Sequence, residues 1–339
     1  MARPVVSVLI DTYNHERFIE KAIVSVLKQD FPAAEREIIV VDDGSTDRTS
    51  EIIRKFEPQV RLLRKANGGQ ASAFNAGIPE CSGEIIAFLD GDDWWAPGKL
   101  RAVVNALEQE TGVGLIGHGI TEVYEDGATH TELLRDVPRF RISSEVGARH
   151  FRMRKSFLGT SRMTFRSGVL KRIGEVPGDL TIQADEYLFT LGAVLSDVLV
   201  LREPHTFYRL HGSNAFQISD GRTDSLRRKQ RVMQALANAL RIKLSALGTA
   251  GNIAKIVIES VQTEADVIRL TLENGAPWET ISAEVRNYRI MHEGASAPRW
   301  ALKMCSLLPA CVLPSRVYFS WRQRFTGSGA YRKVRQTFM

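Results

Sequence analysis

The chain has 339 residues, 44% of them hydrophobic and 25% charged, enough to bury one large core or two ordinary ones and too apolar for a disordered protein. Its net charge of +6 is unevenly placed: residues 294–339 hold eight Lys or Arg and no acid, so the basicity belongs to the tail. Cys81, Cys305 and Cys311 form no CxxC pair, which indicates neither a disulfide framework nor a thiolate zinc site, and no apolar run reaches the ~20 residues of a spanning helix.

The opening stretch "MARPVVSVLI" runs straight into strand-like sequence without the pattern of a secretory leader, so a reducing, cytoplasmic setting is expected. Short apolar runs follow at 5–10, 37–41, 60–63 and 84–89, separated by segments with helical spacing. In the first of these, Phe18, Ile19, Ala22, Ile23, Val26 and Leu27 share one face. Ser45, Thr46 and Asp47 are candidate caps for the second. A helix is expected near 98–109, then a strand and turn in "GVGLIGHGITEVYEDG", a helix over 183–196 and a strand over 197–210. From about residue 222 two long amphipathic helices are expected, the second stopping at Asn274-Gly275.

Strands alternating with helices predict an α/β fold with a mostly parallel central sheet covered by helices on both faces. Ligands of such sheets bind beyond the carboxyl ends of the strands. That rule brings "DTYN", "DDGSTD" and "DGDDWW" to one edge. Two unit charges about 4 Å apart repel by roughly 4 kcal/mol at an effective dielectric of 20, so the clustered acids call for compensation. A hard divalent cation, Mg²⁺ or Mn²⁺, held by Asp90, Asp92 and Asp93 and holding a diphosphate in turn, would supply it. Acids and glycine after a strand are also ordinary turn chemistry, and both readings stand for the tripeptide alone.

In this order and spacing, "VSVLIDTYNHERFIEKAIVSVLKQ", "IIVVDDGSTDRTSEII", "NGGQASAFNAGI" and "GEIIAFLDGDDWWAPGKL" resemble the nucleotide-sugar-binding half of family 2 glycosyltransferases of GT-A fold. The resemblance is close over residues 5–100 and looser to about 214. It implies a GT-A domain over 1–215, with a donor half at 1–100 and an acceptor half at 101–215, followed by a helical region over 216–339. Implied donor contacts are Tyr13 packing on the nucleobase, Asp43 accepting from the base, Asp42 supporting that loop or touching the nucleotide, and Asp92 reaching the ribose or the metal. Asp93 is similar to the main metal ligand and Asp90 to the first acid of the Asp-x-Asp pattern. Asp11 stands where many relatives carry Pro or Thr, making the first nucleotide-sugar loop more acidic. Phe74 precedes Asn75 where an Arg-Asn pair is common; Arg64 or Lys65 could take over the missing charge, a solvated strand end being the favoured reading for each.

In "IQADEYLF" the family pattern implies Asp185 as the catalytic base, with Glu186 as competitor; capping of a helix start is the local alternative. "FYRLHGSN" is similar to a Tyr-Arg-x-His segment, implying that Arg209 meets the diphosphate and His211 completes the metal shell. The remaining histidines, His15 and His118 among them, show no ligand spacing. The basic tail over 294–339 mixes aromatic, aliphatic and cationic residues, which suits an anionic membrane surface or a packed helix with a basic outer face, and not nucleic acid. Together these imply an inverting, metal-dependent transfer of sugar from a nucleoside diphosphate donor, UDP-sugar foremost, to a glycan or lipid-linked acceptor in polysaccharide or glycoconjugate synthesis. A nucleotidyltransferase of related fold and a non-catalytic nucleotide-sugar-binding scaffold are the rival readings.

Overall fold

A computed structural model of the chain describes residues 5–132, 134, 139–211, 223–275, 277–291, 297–314, 316–318 and 320–321. The basic tail beyond Trp321 and the end of the resemblance at 212–214 lie outside the described residues. The first half alternates as the apolar spacing predicts: β1 (Val6–Thr12), α1 (Ile19–Leu27), β2 (Arg36–Asp42), α2 (Thr49–Arg54), β3 (Arg61–Arg64), α3 (Gln70–Gly77) and β4 (Ile85–Asp90). There follow β5 (Trp94–Trp95), α4 (Lys99–Gln109), β6 (Val113–Val123), β7 (Thr129–Thr131), β8 (Arg139–Phe140) and α5 (Glu145–Arg154). The sheet is completed through β9 (Thr164–Arg166), α6 (Ser167–Ile173), α7 (Ala184–Leu195) and β10 (Asp197–Arg209).

Strand order is β3-β2-β1-β4-β9-β6-β10-β5, with β7 beside β6 and β8 beside β10. The block β3-β2-β1-β4 is parallel, as is β6 with β10, and antiparallel β9 joins the two blocks. Side chains alternate across a strand, and both faces here are dry. Val8 and Ile10 of β1 pack with Ile23 and Val26 of α1 and Val103 and Leu107 of α4. On the opposite face α3 lies so close to β1 that a Cβ on Gly77 would fall 2.4 Å from Leu9 Cδ1. Burial on both faces explains the near-continuous apolar reading of β1, β2 and β4: each such side chain removed from water contributes about 1.5–3 kcal/mol.

The chain divides into two compact units, Met1–Gln217 with Ile242–Ile253, and Ile218–Arg241 with Ala254–Met339. The helices after the sheet are α8 (Thr223–Ala246), α9 (Gly251–Glu273), α10 (Pro277–Met291) and α11 (Ala297–Val312). Asn274 adopts φ 51° and the Gly275 N–H returns to the Leu270 carbonyl at 2.7 Å, ending α9 where the Asn-Gly pair predicts. In the second unit Leu307, Ala310 and Tyr318 bury against Ile281 and Val285. Among the described residues no helix is long and apolar enough to cross a membrane.

Candidate active site

The register of the parallel strands builds the site. Thr12 lies opposite Asp42 and Asp11 opposite Asp90, so the segments after β1, β2 and β4 emerge side by side. The first two are knitted together: Asn14 N–H donates to Ser45 Oγ, His15 N–H to Thr49 Oγ1 and Glu16 N–H to Asp47 Oδ2, while Asn14 Oδ1 accepts from Thr46 N–H. Asp42 is fully buried and accepts from the Ser45 N–H at 2.8 Å and from the Ser50 hydroxyl, so it supports its loop.

Asp43 is buried and faces inward. Its Oδ1 accepts from Lys65 Nζ at 2.6 Å, and its Oδ2 from the Gly68 and Gly69 N–H groups at 3.1 and 2.6 Å. Gly69 has φ +81°, and a Cβ there would lie 2.7 Å from the Thr181 backbone, so only glycine brings this amide to the carboxylate. Arg64 Nη2 donates to the Ser45 carbonyl. Arg64 and Lys65, read from the sequence as solvated strand-end cations or substitutes for the missing charge, therefore brace the Asp42–Ser45 turn. Tyr13 stands at the rim, 44% exposed.

Asp90, Asp92 and Asp93 present carboxylate oxygens within 4.8 Å of one another. Their surroundings differ. Asp93 is 1% exposed and has both oxygens engaged, Oδ1 by the Arg209 N–H at 2.9 Å and Oδ2 by the Ser161 hydroxyl at 2.6 Å. Asp92 Oδ2 lies 3.0 Å from His211 Nε2 and 3.8 Å from His15 Nε2. Burial alone would raise the Asp92 carboxyl, but the His211 hydrogen bond and the His15 charge outweigh it and hold the group below the ordinary carboxylate range. Burial and then the neighbouring carboxylates push Asp90 and Asp93 well above that range, and burial with the charge of Asp92 raises Asp11 to about 8. Among the described residues the buried Asp11 Oδ1 meets no hydrogen-bond partner. Oxygen donors this close, disfavoured as anions by one another, fit a hard divalent cation.

Arg209 is fixed beside the cluster. Its Nε donates to the Asp92 carbonyl at 2.9 Å, and its guanidinium lies 4.7 Å from the Phe18 ring centre and 4.6 Å from that of Trp94. Trp94 stacks on Phe207 at 5.1 Å, which accounts for an aromatic pair where a loop would otherwise be polar.

Within electrostatic reach of Asp90 and Asp11, Asp185 and Glu186 open α7 and have opposite environments. Glu186 is buried against Arg152 at 2.6 Å, both side chains nearly inaccessible. Asp185 keeps part of its surface open, accepting from the Thr160 N–H at 3.2 Å and Thr160 Oγ1 at 3.3 Å, with its other oxygen on the Glu186 N–H. Burial, then the charge of Glu186, outweigh these donors and raise Asp185 to about 6. Gln183, two residues earlier, has φ 66°, a left-handed turn that precedes the helix.

Sequence patterns missed four contributors. His15 carries no ligand spacing but follows β1 on the same edge; Thr160, Ser161 and Arg152 sit in irregular or helical sequence whose only distinction is the partner it meets in space.

Residues 7–174 match the model of glycosyl transferase family 2. An uncharacterized glycosyltransferase of Nostoc sp. is 33% identical over 216 residues, 62% of this chain and 66% of that protein. Glycosyltransferase AglE of Haloferax volcanii is 31% identical over 54% of this chain and 59% of its own. The poly(ribitol-phosphate) beta-N-acetylglucosaminyltransferase TarS of Staphylococcus aureus is 39% identical over 38% of this chain and 24% of its own. The chain thus spans at most about two thirds of these relatives. The structure of S. aureus TarS residues 1–349 in complex with UDP-GlcNAc superposes with a TM-score of 0.58 at 21% identity, covering 94% of this chain and 91% of that one, and shares the GT-A type of fold. The matched span contains β1 to β4, the acidic rim and the strands that carry it, and on that ground the chain belongs to glycosyl transferase family 2.

Proposed function

We propose that this chain is an inverting glycosyltransferase that moves a sugar from a nucleoside diphosphate sugar, foremost a UDP-sugar, to a hydroxyl of a glycan or lipid-linked acceptor. The observation that carries the reading is Asp185: a carboxylate raised to about 6, with part of its surface open, coupled through space to Asp90 and Asp11 of the acidic rim. Asp90, Asp92 and Asp93, with His211, would hold Mg²⁺ or Mn²⁺, Asp93 being fixed in place by the hydrogen bonds that both its oxygens accept. A divalent cation bound there supplies Lewis-acid neutralisation of the departing diphosphate.

The rest of the step falls to the chain. Arg209 orients toward the same phosphates, and Tyr13 offers a face to the base. Asp42 and Asp43 keep the β2 loop in place, with Asp43 reaching the base only if one of its present donors yields. Asp185 accepts the proton of the acceptor hydroxyl as that oxygen bonds to the anomeric carbon; the bond to the phosphate oxygen breaks with its electron pair on the phosphate, and one displacement inverts the configuration. A base near its operating pH suits this work, whereas Glu186 is held by Arg152. A relative's name supports polysaccharide or glycoconjugate synthesis as the setting: TarS is a poly(ribitol-phosphate) beta-N-acetylglucosaminyltransferase. In a panel of nucleotide sugars with Mn²⁺, a UDP-sugar should raise the melting temperature and undergo hydrolysis or transfer. Asp185→Asn should lower turnover by about 10² to 10⁴-fold with donor affinity retained. Equal turnover by the variant would remove Asp185 from the role of base, and donor binding without turnover by the wild type would leave a binder rather than an enzyme.

The domain limits at 1–215 and 216–339 and the peripheral membrane role of the tail complete the proposal. The latter is supported by composition and by Met304, Leu308 and Val312, exposed four residues apart on α11. The full chain should sediment with vesicles containing anionic lipid and stay in solution with zwitterionic ones; indifference to lipid charge would remove the membrane from the account.

A further inference from the structure

The turn Thr160–Arg162 lies between the acidic cluster and α7, and two of its neighbouring residues touch opposite sides of the site. Ser161 is 3% exposed. Its Oγ accepts from the Asp90 N–H at 3.0 Å and donates to Asp93 Oδ2 at 2.6 Å, so one hydroxyl bridges two members of the cluster. Its carbonyl is held from two directions, by Lys99 Nζ at 2.8 Å and Thr206 Oγ1 at 2.7 Å. Lys99 is fully buried, with Nζ 3.8 Å from the Trp95 ring centre. A lysine is rarely buried without a task, because removing its charge from water is costly. Thr160, the preceding residue, gives both its N–H and its hydroxyl to Asp185, and that hydroxyl accepts from Gln70 Nε2 at 3.0 Å.

Building on the proposed activity, we infer that Thr160 and Ser161 are positioning residues, a two-residue spacer that fixes the cation ligands relative to the base. Ser161, clamped by Lys99 and Thr206, sets the separation of Asp90 and Asp93. Thr160 aims Asp185. Groups that orient metal ligands from behind govern affinity: removing one typically costs 10–100-fold. Base aim affects the chemical step and leaves ion binding alone.

The test is Mn²⁺ titration followed by the electron paramagnetic resonance signal of free ion, with UDP present, on full-length protein. Ser161→Ala should weaken Mn²⁺ at least tenfold, and Thr206→Val should shift it the same way by less; both are small changes, so neither depends on the survival of a Lys99 variant. Thr160→Val should bind Mn²⁺ as the wild type does while its kcat falls and its KM for donor holds. Wild-type Mn²⁺ affinity in Ser161→Ala, with the wild type itself binding the ion, overturns the spacer and leaves the proposed activity standing. Absence of Mn²⁺ binding by the wild type overturns both. A loss of Mn²⁺ affinity in Thr160→Val equal to that in Ser161→Ala would show the turn to be mere scaffold and defeat the division of roles.

Discussion

Asp185 and Glu186 are neighbours of the same chemistry, and the residues around them decide what each can do. Arg152 neutralises Glu186 in a nearly dry pair, while Asp185 is left with neutral donors and a raised proton affinity. If Asp185 is the base, kcat/KM should fall tenfold per pH unit below about 6, and the residual turnover of Asp185→Asn should lack that limb; a wild-type profile flat from pH 7 to 5 would refute the assignment. The same shift has a stability sign. The folded carboxyl holds its proton more tightly than the unfolded one, about 6 against 3.8, so its contribution favours the fold below 3.8 and is lost as pH rises to about 6. In metal-free protein at pH 7.5, Asp185→Asn should therefore be more stable by about 1–3 kcal/mol in urea, with the gain fading toward pH 4. The acid pair was legible in the sequence as a pair. The family resemblance singled out Asp185, but the pairing that occupies Glu186 was not legible, because Arg152 lies 34 residues away and nothing in the local pattern points to it.

Elements carry the site through their ends. β1, β2 and β4 are apolar to the last residue before the acids, and parallel pairing then delivers those acids to one edge, so the edge could be read from periodicity and the rule for open sheets. α3 begins where Gly68 and Gly69 turn their amides on Asp43, with Thr181 against Gly69. Gly69→Ala would combine a left-handed backbone with a backbone collision, and about 2–4 kcal/mol of destabilisation is expected by urea denaturation. A midpoint unchanged from the wild type would mean that the segment relaxes freely. Less legible was the turn at 160–162, too short for any period, whose place comes from antiparallel β9 entering between β4 and β6. The histidines divide at the same limit: His211 was singled out by the Tyr-Arg-x-His likeness, whereas nothing along the chain pointed to His15, which meets it at Asp92 from a segment almost two hundred residues away.

For the molecule as a whole, the first unit is not one continuous piece of chain: Met1–Gln217 is joined by Ile242–Ile253. The returning piece contributes the fully buried Leu244 and the hydrogen bond from Asn252 Nδ2 to Glu145 Oε1 at 2.6 Å. A polypeptide ending at Ile253 should melt cooperatively and at higher temperature than one ending at Gln217; equal melting would make the returning piece dispensable. The helical character of the region after 222 was legible from its amphipathic period, but the return was not, since periodicity tells which face of a helix is apolar and not which core receives it. The return also orders events at the ribosome. A nascent chain that has released every strand of the sheet still lacks residues 242–253, so the first unit as it stands is complete only once part of the trailing helices has been synthesised.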